Sequence, residues 1–210
     1  TGKAMLTSPL ESKGLLADLI CDSTYIADVP MGTLSIGSAW DEDFERFNIA
    51  LRNSINGRRS IDVSGKLTPR LKTLEADIAL NRLDVGYVQP VLADVFSEMS
   101  GSISGNISID GPIDRFSISS KGTRLDDVLL RVAYTNVPYY ADGTFHIDDE
   151  GVYFDRINIR DRYVGTGQVS GGILYDHFRN IRFDTRIKVN NIEAVNLSEN
   201  QADVFYGNLA

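Results

Sequence analysis

Apolar and polar residues alternate with a period of two along most of this chain. In residues 44–51, FERFNIAL, Phe44, Phe47, Ile49 and Leu51 fall mostly on one face. Ile61, Val63 and Leu67 share a face in residues 60–67, and Ile157 and Ile159 alternate with Arg156, Asn158 and Arg160. Residues 180–192, NIRFDTRIKVNNI, are the clearest case. Ile181, Phe183, Ile187 and Val189 face one way, Arg182, Asp184, Arg186, Lys188 and Asn190 the other, and only Thr185 interrupts the apolar row. Successive strand residues point to opposite sides of a sheet. Each segment is therefore a strand with one apolar and one charged face. A sheet of such strands is wet on one side, which fits a sandwich or a curled antiparallel sheet and excludes a parallel sheet buried on both faces.

Turn signals punctuate the pattern at Asn56-Gly57, Asp110-Gly111-Pro112, Asp142-Gly143 and Glu150-Gly151. Residues 145–154 read as a hairpin: Phe145 and Ile147 lead in, residues 148–151 turn, and Val152 and Phe154 lead out. One segment changes period. In residues 83–99, Val88, Leu92, Val95, Phe96 and Met99 recur at helical spacing behind Asp84, a plausible N-cap, with Pro90 in the first turns. This predicts a short amphipathic helix near 85–98, its apolar face laid on the sheet or offered to a partner.

A loose pattern of glycine followed by alternating apolar residues recurs at 32–37, 64–67, 101–111 and 167–174, without a fixed period. In MSGSISGNISIDG (99–111), Gly105 shares the parity of Ile103, Ile107 and Ile109. A glycine in that row leaves a gap in the apolar wall where a sheet can bend. No linker divides the chain. The expected organisation is one β-rich segment, 1–210, with strands over 1–83, the helix over 84–99 and strands over 100–210. Both ends break off in strand-like pattern, as in a piece of a longer array.

Composition narrows the function classes. Lys and Arg number 21 against 29 Asp and Glu, a net charge of -8. Without a basic stripe, nucleic acid is not an expected partner, and charge-driven adsorption to an anionic membrane is disfavoured. The single cysteine, Cys21, permits no intrachain disulfide and reads as a small buried residue. No segment is long enough for a membrane helix, so an anchor is expected outside this stretch. His146 and His177 lack partners at metal-ligand spacing. The acidic runs 41–43 and 148–150 do not follow a calcium loop. Gly165, Gly167 and Gly171 do not open a helix after a strand, so they make no nucleotide cradle. The expectation is a protein that is not an enzyme and needs no metal or cofactor. Tyr134, Tyr139, Tyr140, Phe145, Tyr153, Phe154 and Tyr163 are expected in core packing, with sugar stacking as the alternative.

A long sheet with one apolar face has two uses. A second layer can close it into a core, or it can curl into a trough for an apolar ligand. The run SGSISGNISIDGPI, the block LRVAYTNVPYYADGTFHIDDEGVYFDRINIRD, the stretch GQVSGGILYDHFRNIRFDTRIKVNNIEAVNL and NQADVFYGNLA together resemble the C-terminal part of the TamB family as found in Bacteroidetes, within the AsmA-like superfamily. Gly101, Gly105 and Gly111, Asp161, Gly171, residues 176–178 and Phe205-Tyr206-Gly207 carry the likeness. Trp40-Asp41 and residues 65–69 fit more loosely.

The resemblance implies a protein anchored in the inner membrane and crossing the periplasm as a hydrophobic β-groove (a β-taco). Such a protein takes part in outer-membrane biogenesis. It moves phospholipids between the membranes and works with a BamA-family, TamA-like outer-membrane barrel in β-barrel assembly and secretion. Alternation then proposes the lipid-facing residues: Ile103, Ile107, Ile109, Phe116, Ile118, Phe145, Ile147, Val152, Phe154, Ile157, Ile159, Ile181, Phe183, Ile187 and Val189. Two other classes stay open: a scaffold docking on a barrel without carrying lipid, and a carbohydrate-binding β-domain.

Overall fold

The computed structural model describes residues 2–7, 16–26, 29–176, 179–197 and 207–209. The strands among them are β1 (Gly2–Thr7), β2 (Leu16–Ile26), β3 (Val29–Asp41), β4 (Arg46–Ile55), β5 (Arg58–Thr68), β6 (Thr73–Asp84), β7 (Phe96–Pro112), β8 (Ser117–Val132), β9 (Pro138–Asp148), β10 (Gly151–Arg160), β11 (Thr166–Asp176), β12 (Arg179–Asn190), β13 (Val195–Leu197) and β14 (Gly207–Leu209). Strands account for 77% of the structure, as the alternation predicts. β1 to β12 form one antiparallel sheet in chain order, not closed into a barrel, and β13 pairs with β14. The chain divides into two compact units: unit 1 is Thr1–Leu83 with Gly105–Lys121, and unit 2 is Asp84–Ser104 with Gly122–Ala210.

In unit 1 the alternation resolves into cross-strand rows over β3 to β6. Trp40, Phe47, Leu67 and Leu74 stand opposite one another, followed by Ser38, Ile49, Gly65 and Ala76, then Ile36, Leu51, Val63 and Ile78, then Leu34, Asn53, Ile61 and Leu80. Trp40 meets Phe47 edge-on, ring centroids 4.7 Å apart. The other face carries ion pairs between directly opposed residues: Asp41 with Arg46 at 3.3 Å, Arg52 with Asp62 at 3.4 Å and Lys66 with Glu75 at 3.6 Å. Such surface pairs add little stability, but a one-residue slip would break all of them and turn the apolar rows to water. Asn56 (φ 51°) and Gly57 (φ 76°) close β4 to β5 with the two positive-φ residues that a tight hairpin requires.

Unit 2 repeats the design over β9 to β12. Its rows are Ile147, Val152, Ile173 and Phe183; Phe145, Phe154, Gly171 and Thr185; Gly143, Ile157, Val169 and Ile187; and Ala141, Ile159, Gly167 and Val189. Phe154 and Ile157 differ in parity, yet both lie on the apolar face. The β9–β10 register shifts between Phe154 and Arg156, leaving Asp155 as the extra residue of a bulge. Glycines flank it. A Cβ on Gly143 (φ 154°) would stand 2.9 Å from Ile157 Cα, and one on Gly101 (φ 104°) 2.6 Å from Val128 Cα. Gly101, Asp127 (φ 47°), Gly143, Asp155 and Gly171 (φ 102°) thus mark a crease across the strands of unit 2. Beneath it Val85, Val128, Ala141 and Ile157 form a core, each at most 5% exposed, with Met99, Ile103, Leu130, Phe154, Ile159 and Val169 against them.

Four expectations are corrected. The helix is a seven-residue 3₁₀ segment, Val85–Val91, and β7 has begun by Phe96. Asp84 does cap it, accepting a hydrogen bond from Gly86 N at 2.8 Å. Pro90 has no N–H to donate back to Gly86, and the bonds that follow, Leu92 N to Gln89 O and Val95 N to Leu92 O, span three residues. Asp142-Gly143 is not a turn but the kinked middle of β9, and β7 runs on through Pro112, so that turn falls two residues later. Phe44 lies in the β3–β4 turn and is 63% exposed.

Candidate functional site

The apolar face is the candidate site, and it differs between the units. In unit 1, Ile36, Phe47, Ile49, Leu51, Ile61, Val63, Leu67, Leu74, Ile78 and Leu80 are all half-buried. Among the described residues, Met31 and Leu83 are the buried hydrophobics of this unit. In the row Ser38–Ile49–Gly65–Ala76 three small residues stand between two bulkier rows, a shallow furrow interrupted by Ile49. In unit 2 the same face is largely filled by its own core.

The predicted lining divides accordingly. Ile107, Ile109 and Ile118 are half-buried in unit 1. Phe116 is not on a strand: it ends the β7–β8 turn and is 36% exposed. Ile103, Phe154 and Ile159 pack against the core of unit 2, and Ile157 belongs to it. Phe145, Ile147 and Val152 are half-buried, while Ile187 and Val189 on β12 are 59% and 55% exposed. Register sets Phe183 opposite Ile173, but the side chains of Ile181 and Phe183 lie outside the described residues, as do His177, Phe178, Phe205 and Tyr206. Cys21, expected to be buried, is half-buried and paired with Leu34. The unit 1 rows carry the same alternation as the proposed lining and belong with it. Seeing them as one surface needs the cross-strand register.

Unit 2 holds a cavity of about 500 Å³, to which Ile159, Gly167 and Val189 of one apolar row contribute together with their polar neighbours Asn158, Arg160, Gln168 and Lys188. Of the tyrosines expected in core packing, Tyr134 and Tyr163 are instead 88% and 60% exposed on turns. Tyr139 donates to Glu193 O at 2.8 Å, Tyr140 lies under Arg160 at 4.7 Å, and Tyr153 stacks on His146 at 5.0 Å. Among the described residues, no three His, Cys, Asp or Glu side chains are grouped to hold a metal.

Asp161 organises the β10–β11 turn. It is 5% exposed. Oδ1 accepts from Tyr163 N (2.8 Å) and Gly165 N (2.9 Å), and Oδ2 accepts from Glu193 N (2.8 Å). Burial alone would raise its pKa. The three backbone donors and the Arg162 charge outweigh burial and hold it below the ordinary 3.8. Glu193 is fully buried and accepts from Arg162 Nη2 at 2.6 Å. Burial, then the charges of Glu193 and Asp161, push the Tyr139 hydroxyl above its ordinary 10.0. The cluster ties the β10–β11 turn to residue 193 and to Tyr139 of β9.

No known protein family, curated protein or solved structure matches this chain.

Proposed function

We propose that this chain is a segment of a TamB-like protein that acts in outer-membrane biogenesis. In this reading the full-length protein is tethered to the inner membrane and crosses the periplasm. It shields phospholipid acyl chains along a hydrophobic sheet face as they pass between the membranes, and it assists β-barrel assembly with a BamA-family, TamA-like barrel. It performs no catalysis and uses no cofactor. The observation that carries the reading is the half-exposed apolar face of unit 1, whose rows cross β3 to β6 from strand to strand. Acyl chains need apolar area and no directional partner. Each methylene removed from water contributes about 0.8 kcal/mol.

Trp40 is the chain's single tryptophan, and it stands on this face beside the furrow. Brominated fatty acid should therefore quench its fluorescence saturably, and protein extracted from membranes should carry phospholipid. Ile49→Asp with Val63→Asp should abolish both effects while the fold survives. Unquenched Trp40 together with lipid-free protein would overturn the reading. The exposed edge strand β12, with Ile187 and Val189, favours the second reading, a scaffold docking on a barrel without lipid. On that reading the two aspartates leave function intact.

A further inference from the structure

One end of unit 2 gathers exposed apolar side chains on three neighbouring connections. Leu92 (37% exposed) and Val95 (52%) precede β7, Tyr134 (88%) joins β8 to β9, and Tyr163 (60%) and Val164 (81%) join β10 to β11. Antiparallel order brings these connections to the same end. Ala133 N donates to Val95 O at 2.9 Å, which ties the first two. Residues 193–196 brace the others. Asn196 N donates to Thr135 O (2.9 Å), Asn136 Nδ2 donates to Asn196 O (3.0 Å), and Glu193 N donates to Asp161 Oδ2 (2.8 Å). The tips are held out by buried polar contacts.

We propose that this end of unit 2 is a membrane-contact tip that seats in the headgroup region of a bilayer. Three features select a lipid surface over a protein pocket. The apolar groups sit on three separate connections, and a bilayer interface accepts each of them independently. Two are tyrosines, whose rings suit the boundary between headgroups and acyl chains. The arginines at this end are each matched by a carboxylate, Arg131 by Glu98, Arg160 by Asp127 and Arg162 by the buried Glu193, so little of the chain's net charge of -8 is uncompensated at them. The acidic turn, Asp148, Asp149 and Glu150, lies at the other end of β9 and β10. That polarity turns this end of unit 2, and not the acidic one, toward a bilayer. Arg162 covers the Tyr163 ring at 5.0 Å while holding the buried Glu193 carboxylate at 2.6 Å.

The proposal does not depend on lipid transport along the apolar face. Flotation with phosphatidylcholine vesicles at high salt tests it, because apolar tips hold without anionic lipid. The protein should float, and Tyr134→Ser, Tyr163→Ser and Val164→Ser together should cut the bound fraction at least fivefold with an unchanged melting temperature. With Trp40→Phe, a Tyr163→Trp reporter should blue-shift on binding and be quenched by lipids brominated near the headgroup. Absence of flotation, flotation unaffected by the triple substitution, or an unshifted reporter in floating protein would each overturn the tip. The last outcome, with Trp40 still quenched by fatty acid, would leave the acyl-chain reading standing. A protein ligand lost in the triple variant, without vesicle binding, would also overturn it.

Discussion

At the residue scale, single groups decide how the turns and the crease are held. Asp161 satisfies three backbone donors with one carboxylate. Asp161→Asn keeps the shape but removes the charge and turns an acceptor into a donor facing an N–H. A destabilisation of about 2–3 kcal/mol is expected from the loss of charge-assisted bonds at a buried site, read by urea denaturation at pH 7. The pH dependence follows from the lowered pKa. A carboxyl more acidic in the folded than in the unfolded chain adds stability above its unfolded value. That stability fades as pH falls through the lower folded value. Between pH 5 and pH 2 the wild type should therefore lose more stability than the Asn variant; parallel curves would refute the assignment. Gly143→Ala should cost about 1–3 kcal/mol, because its φ of 154° and its approach to Ile157 leave no room for a Cβ. The sequence marks Gly143 as special but for a turn, since an Asp-Gly pair signals a hairpin unless long strands run through it.

At the element scale, period-two alternation identifies strands well and misreads what happens inside them. β4, β5 and β12 are legible because their apolar positions keep one parity over enough residues. The Asp155 bulge is visible only as a conflict: Val152 and Phe154 on even numbers, Ile157 and Ile159 on odd. Either strand could flip, and the ladder to β9 decides that an extra residue absorbs the change. Deleting Asp155 should turn Ile157 and Ile159 to the wet face and leave Val128 and Ala141 without their cover. Loss of the cooperative melt by circular dichroism is expected, whereas Asp155→Ser, which keeps the count, should melt like the wild type. The misplaced helix has the opposite cause. Val88, Leu92, Val95 and Met99 match a helical period, but Pro90 interrupts the bonding that a second turn requires, and Met99 packs from a strand instead.

At the scale of the whole molecule, one alternating code produces two different surfaces. In unit 2 the rows, the bulge and Val85 of the 3₁₀ segment close on each other, so Ile157 is 5% exposed. In unit 1 the rows of β3 to β6 remain half-exposed. No count of apolar residues in the sequence separates these outcomes, because the difference lies in what covers the face. Substitution tells them apart. Ile157→Asp buries an unpaired charge in the core and should unfold unit 2, a cost above about 4 kcal/mol. Ile49→Asp places its charge on the half-exposed face of unit 1, where water reaches it, and should cost less than about 2 kcal/mol. If both variants unfold alike by proteolysis and melting, the face of unit 1 is a closed core and no ligand lies along it. If Ile49→Asp stays folded and Trp40 is no longer quenched by brominated fatty acid, that face is the binding surface, and the side chains beside the furrow set what it holds.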